Sequence, residues 1–185
     1  MSLEWRHGDL VDVAKETGAN VLAFSANAVL KQGESGLYKL VMGAGAAKRV
    51  RDYYPGSDWK LGASVARNTQ RLRVSLGGDR GTRMADYGLQ PDYYLAKTTC
   101  WDERHEQPTP MLIVALQVKR EWKDRGDLEL ASQSLMRFHD LMRENPEYRA
   151  VMNCPLVGLG GFSLEEVRPV VEATLSGTNT TICLL

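Results

Sequence analysis

Apolar runs alternate with apolar stripes along the chain, a pattern that predicts strands interleaved with helices. Residues 20–25 (Asn-Val-Leu-Ala-Phe-Ser) and 111–118 are nearly unbroken apolar runs, which suits strands covered on both faces of a sheet. Residues 150–154 read the same way, with further short strands at 3–6 and 180–185. Over 127–144, Leu128, Ala131, Leu135, Phe138, Leu141 and Met142 recur at spacings of three and four, so this segment predicts a helix with one inward face. Asp127 is its expected N-cap and Asn145-Pro146 its stop. Helices are also expected at 10–16, closed by Gly18, and at 44–54, stopped by Pro55-Gly56. A further helix is expected at 163–175, where Glu166 stands three residues after the N-cap Ser163 and completes a capping box. Between 57 and 110 the pattern weakens to strand-like pieces at 63–67 and 72–76, broken by Gly77-Gly78-Asp79 and later by Pro108-Thr109-Pro110.

Such alternation implies an α/β domain, a mixed or mostly parallel sheet between two layers of helices, spanning 1–185 with an insertion at about 57–110. In these sheets ligands sit at the carboxyl ends of strands, which directs attention to the loops after Ser25, Val118 and Pro155.

Composition narrows the function classes. Twenty-three basic residues balance 23 acidic ones, which excludes a uniformly basic nucleic-acid coat while leaving room for a local patch. Such a patch exists: Arg67, Arg71, Arg73, Arg80 and Arg83 face one acid, Asp79, and Tyr87, Tyr93, Tyr94 and Trp101 follow. Phosphate contacts and base stacking are one use for it, a solvated hairpin with packed aromatics the other. No apolar run approaches the roughly 18 residues that cross a bilayer, and the N-terminal residues lack a signal-peptide core. Cys100, Cys154 and Cys183 are odd in number and far apart, the usage of reduced thiols in a cytoplasm. His7, His105 and His139 are isolated, so no metal site is expected.

Two glycine-rich segments carry the candidate chemistry. The first is Met42-Gly43-Ala44-Gly45-Ala46-Ala47-Lys48, the second Gly158-Leu159-Gly160-Gly161-Phe162, immediately before Ser163. Small residues at a helix start let a phosphate reach backbone N–H groups, and the helix dipole favours the anion. Two such loops suggest a diphosphate held between two helix N-termini; tight turns alone would also use these glycines. Neither loop is a Walker A sequence, and Lys48 stands where a Rossmann fingerprint needs its third glycine.

Together these segments resemble the macro domain family of ADP-ribose-binding modules. Gly8-Asp9-Leu10 is similar to the family's early Gly-Asp-aliphatic element, and Ser25-Ala26-Asn27 to the end of its asparagine-containing strand. Met42 to Lys48, Val118-Lys119 followed by Trp122, and the segment from Gly158 to Val167 resemble one branch. That branch holds the terminal ADP-ribose protein glycohydrolases and the DNA ADP-ribosyl glycohydrolase antitoxins. The resemblance covers 6–55 and 111–185; the stretch from 29 to 40 is longer than the family pattern. Gly160 stands where the protein glycohydrolases carry a catalytic Asp, which moves the likeness toward the antitoxins.

The resemblance implies an ADP-ribosyl hydrolase that takes ADP-ribose from a macromolecule without cofactor or metal. It places Lys119 as nucleophile, Asn27 at the distal ribose and Asp9 at adenine. The diphosphate would lie between Gly43, Ala44, Gly45, Ala46 and Ala47 on one side and Gly158, Leu159, Gly160, Gly161 and Phe162 on the other. A lysine suits the chemistry, because a neutral amine forms a Schiff base with a sugar aldehyde once burial or nearby cations lower its pKa. A cation beside a diphosphate remains the alternative role for Lys119, a helix N-cap that for Asp9, and binding without turnover that for the whole protein.

Overall fold

The computed structural model describes residues 3–32, 36–76, 93–102 and 109–184, with side chains described only to residue 67 in the second of these. In chain order the elements are β1 (Leu3–His7), α1 (Leu10–Thr17), β2 (Val21–Asn27), β3 (Leu30–Gln32), β4 (Tyr38–Leu40), α2 (Gly45–Tyr53) and α3 (Ser57–Leu76). There follow β5 (Leu95–Asp102), β6 (Thr109–Lys119), α4 (Leu128–Glu144), β7 (Ala150–Asn153), α5 (Leu164–Leu175) and β8 (Thr180–Leu184).

Six strands form one sheet in the order β1-β8-β7-β2-β6-β5, parallel except for the antiparallel pair β5–β6. The apolar runs read from the sequence are its middle strands. Leu22, Phe24 and Ala26 of β2 and Ile113 and Ala115 of β6 enter a core shared with α1, α2 and α3. Val21 and Ala23, with Val114, Leu116 and Val118, enter a second core shared with α4 and α5. Successive side chains of a strand point to opposite faces, so a strand covered on both must be apolar at nearly every position. The three-layer arrangement with a mixed sheet follows.

Helix boundaries obey their caps. Asp9 accepts from the N–H groups of Val11 and Asp12, and Gly18 ends α1 in the left-handed region at φ 62°. Asp127 caps α4, and Ser163 and Glu166 close the capping box of α5. Two expectations fail. Residues 63–67 and 72–76 are not strand pieces: both lie in α3, which buries Leu61 and Val65 one turn apart. Gly62 lets α3 approach the β3–β4 hairpin, because a Cβ there would lie 2.4 Å from the Tyr38 carbonyl oxygen. Within the stretch between 29 and 40, Leu30–Gln32 pairs antiparallel with Tyr38–Leu40. The strand β5 was not expected. Its inward side is made by Ala96, Cys100 and Asp102, and the buried Asp102 carboxylate accepts from the Tyr53 hydroxyl at 2.7 Å.

Candidate functional site

A cleft of about 700 Å³ opens across the carboxyl ends of the parallel strands. Its walls come from the three places the topology indicated: 25–27 after β2, 118–123 after β6, and 153–160 after β7. The segment from Gly43 to Ala47 faces them, and Cys183 and Leu184 close the far end.

Lys119 ends β6, in register with Asn27 of β2. A bulge between Ala26 and Asn27 shifts the pairing so that the two residues meet at the sheet's rim. The Lys119 ammonium donates to the carbonyl of Leu159 at 3.1 Å and to that of Asp124 at 3.4 Å. Burial pushes its pKa below the usual lysine value, and the charge of Asp124 opposes that shift without cancelling it. Asn27 is 8% exposed, and its side chain is already engaged: Nδ2 donates to Val41 O at 3.1 Å and Oδ1 accepts from Val29 N at 2.8 Å. Asn27 therefore shapes the turn after β2 and keeps one amide proton for a ligand. The hydroxyl of the buried Tyr93 donates to the Asn27 carbonyl at 2.9 Å. Tyr93 thus belongs to the core and not to an aromatic surface; Tyr94 and Trp101 are exposed.

The two glycine loops differ in kind. Ala44, the N-cap of α2, has no side chain that could bond the helix's first N–H groups, and the first turn carries no acid. The positive end of α2 is left open toward the cleft. The N-terminus of α5 is instead satisfied by Ser163 and Glu166. The expectation of two free helix N-termini therefore reduces to one helix end facing one loop. In that second loop Gly158, Leu159 and Gly160 line the cleft, whereas Gly161 and Phe162 do not. The N–H groups of Gly161 and Phe162 bond back to Gly158 O and Leu156 O, and the Phe162 ring lies 4.2 Å beneath the Arg125 guanidinium.

The second loop is fastened to the loop after β6. Gly126 N donates to Gly160 O at 2.8 Å, beside the Lys119–Leu159 bond. Leu156, buried and held at φ 65°, is the pivot, and added Cβ atoms at Gly126 or Gly160 would collide with it. Across the cleft, Gly45 sits in the left-handed region at φ 56°, where a Cβ would lie 3.3 Å from Leu159 Cδ1. The two loops thus approach each other over the cleft at Gly45 and Leu159.

Several lining residues were not anticipated. Asn153 forms the floor, accepting from Ser25 N at 2.8 Å and donating to Ser25 Oγ and Cys154 O. Cys154 and Cys183 are buried thiols that burial pushes up to about 11, the Asp9 charge adding to the effect at Cys183. Trp122, 57% exposed, and Lys123 stand on the rim next to Lys119. Asp9 does not line the cleft. It caps α1 and holds the Arg49 Nε at 2.7 Å, beside the cleft end closed by Cys183, whose thiol donates to Gly8 O.

Of the five clustered arginines, Arg67 is exposed on α3 and does not line the cleft; the side chains of Arg71, Arg73, Arg80 and Arg83 lie outside the described residues, as do Tyr87 and His105. Among the described residues no group of three or more His, Cys, Asp or Glu could hold a metal ion, and no helix is long and apolar enough to cross a membrane.

No family model matches the chain, and no curated protein matches it in sequence. Solved structures do. The macrodomain of Mycobacterium tuberculosis DarG superposes with a TM-score of 0.60 at 16% identity, over 100% of this chain and 98% of that one. The macrodomain of Thermus aquaticus DarG gives 0.58 at 15% identity, again over 100% and 98%. Thermosipho africanus DarTG, solved in complex with ADP-ribose, gives 0.58 at 18% identity over 98% of this chain and 42% of the other. The chain has the macrodomain fold.

Proposed function

We propose that the cleft binds ADP-ribose and that the protein is an ADP-ribosyl glycohydrolase acting on a modified macromolecule, with Lys119 as nucleophile. One observation carries this reading: a lysine amine with a depressed pKa stands in the cleft between an uncapped helix N-terminus and a glycine loop. The diphosphate would lie between the α2 end, at Gly43 to Ala47, and the loop of Gly158 to Gly160, where backbone N–H groups and the helix dipole favour it. The distal ribose would then reach the rim formed by Asn27 and Lys119. The ADP-ribose in the Thermosipho structure supports the choice of ligand.

The reaction needs a neutral amine, and partial burial supplies it at less alkaline pH than a free lysine would require. The amine lone pair bonds to C1 of the distal ribose while the bond from C1 to the leaving group breaks. The leaving group takes the electron pair and gains a proton. Ring opening gives a protonated imine on Lys119; water adds at C1, and collapse releases ADP-ribose and the free amine.

Calorimetry with ADP-ribose tests the binding half. Release of ADP-ribose from modified DNA and modified protein, by the wild type and by Lys119→Ala, tests the catalytic half. Borohydride added during turnover should attach ADP-ribose to Lys119 in the wild type alone. A second reading, binding without turnover, is favoured by the two carbonyls that hold the Lys119 amine and by the engaged amide of Asn27. It predicts binding with no release from either substrate and no borohydride adduct.

A further inference from the structure

Two polar residues in the cleft floor are explained neither by packing nor by the lysine chemistry. β2 is apolar from Val21 to Phe24 and β7 from Ala150 to Met152, yet near their carboxyl ends come Ser25 and Asn153. The paired register of the two strands ends at Ala23 and Met152. Beyond it the Asn153 side chain continues the ladder, its Oδ1 accepting from Ser25 N at 2.8 Å. That backbone donor fixes which amide atom is which, since only the oxygen can accept from an N–H. Nδ2 is then the donor, and its two protons go to Ser25 Oγ at 3.1 Å and to Cys154 O at 3.0 Å. Asn153, 8% exposed, keeps no amide proton for a ligand.

The Ser25 hydroxyl is in the opposite condition. Its oxygen accepts from Asn153, and among the described residues none takes its proton. Ser25 lines the cleft and is partly exposed, so that proton is free to meet a group that enters there. The bond received from the amide also polarises the hydroxyl and strengthens it as a donor. The cleft runs from Cys183 and Leu184 on β8 to Lys119 on β6, and in the sheet β7 and β2 lie between them. With the distal ribose at Lys119, the diphosphate falls over these two middle strands. A phosphate oxygen only accepts, which suits a hydroxyl whose proton is uncommitted.

We propose that Ser25 donates its hydroxyl proton to the diphosphate, and that Asn153 is the positioning residue that turns the proton toward it. The inference rests on the reading of the cleft as an ADP-ribose site. It adds one side-chain donor to the backbone N–H groups of the two glycine loops. Asn153 acts only through Ser25: by occupying the Oγ lone pair it keeps the hydroxyl from pointing back into the floor.

The test is calorimetry and phosphorus NMR of the whole protein with ADP-ribose. Ser25→Ala should bind about tenfold or more weakly, the size of one hydrogen bond to a charged group, and Ser25→Thr, which keeps the hydroxyl, should stay within about threefold of wild type. The phosphorus resonances of the bound diphosphate should differ between wild type and Ser25→Ala, a change that loss of packing alone does not produce. Asn153→Ala should weaken binding about fivefold alone and less than about twofold further when made in Ser25→Ala, because its effect passes through the hydroxyl. Should Asn153→Ala fail to fold, with the Ser25 N–H left unpaired, the Ser25 variants decide alone. A Ser25→Ala protein within about threefold of wild type, a loss that Ser25→Thr does not recover, or unmoved phosphorus resonances each overturn the role of Ser25 and leave the functional reading intact. Additive losses overturn the role of Asn153. No binding of ADP-ribose by wild type sinks the functional reading, and this inference with it.

Discussion

Adding one methyl group at Gly160 should loosen the protein and silence the site together. A Cβ there would lie 2.1 Å from the Leu156 carbonyl oxygen and 2.4 Å from its carbonyl carbon and Cα. All three are backbone atoms, and the Leu156 side chain is sealed in the core at 2% exposure, so no rotamer change relieves the overlap. Ordinary contact begins near 3.4 Å, so the loop must move by more than 1 Å. Overpacking of this kind costs about 1–3 kcal/mol. For a chain of this length each kcal/mol lowers Tm by about 2–4 °C, so the expected drop is about 2–12 °C. The same movement displaces Gly160 O from Gly126 N and Leu159 O from the Lys119 amine, bonds of 2.8 and 3.1 Å. If Lys119 is the nucleophile proposed above, misplacing it by about 1 Å costs on the order of a hundredfold in turnover. Thermal unfolding and single-turnover release of ADP-ribose measure both effects. Gly43→Ala is the stability control: its φ is not positive, and its Cβ would have nothing within 4 Å, so its Tm should stay within about 2 °C of wild type. A Gly160→Ala protein that melts with the wild type would refute the proposed fastening of the two loops.

Two further outcomes are expected. Burial lowers the Lys119 pKa against the opposing charge of Asp124, so between the folded value and the unfolded value of about 10.4 the unfolded chain holds more protons. Wild type should therefore gain stability relative to Lys119→Met as pH rises through that window, in thermal melts taken stepwise from neutral to alkaline pH; a gap that moves the other way contradicts the depressed pKa. Of the four tryptophans only Trp122 lines the cleft, so ADP-ribose should change the intrinsic fluorescence of wild type and leave that of Trp122→Phe unchanged. A full signal from the Phe variant would mean that the ligand lies elsewhere.

What the sequence makes legible here follows from which groups do the work. The strands β2 and β6 are readable because both their faces are buried, and burial on both faces leaves only apolar side chains. The helix α5 is readable because its capping box is made of side chains, Ser163 and Glu166. By contrast β5 places a carboxylate, Asp102, on its inward side, where any hydropathy pattern counts it as polar; its partner Tyr53 lies 49 residues away. The same logic divides the site. Lys119 and the glycine of an open helix end announce themselves as residues. The fastening that places the amine does not, since it runs between backbone carbonyls and N–H groups whose positions no residue type encodes: Lys119 to Leu159 O across 40 residues, and Gly126 N to Gly160 O. Asn153 escapes notice for a related reason, because its partner Ser25 is 128 residues distant and an asparagine at a strand end is common in any turn. Glycine is the one trace such contacts leave. Gly126 and Gly160 are required where two loops meet at Leu156, while Gly43 has open space around it, and only the meeting of the loops separates these cases. A glycine-rich loop is therefore weak evidence in isolation and strong evidence once its neighbour across the cleft is known.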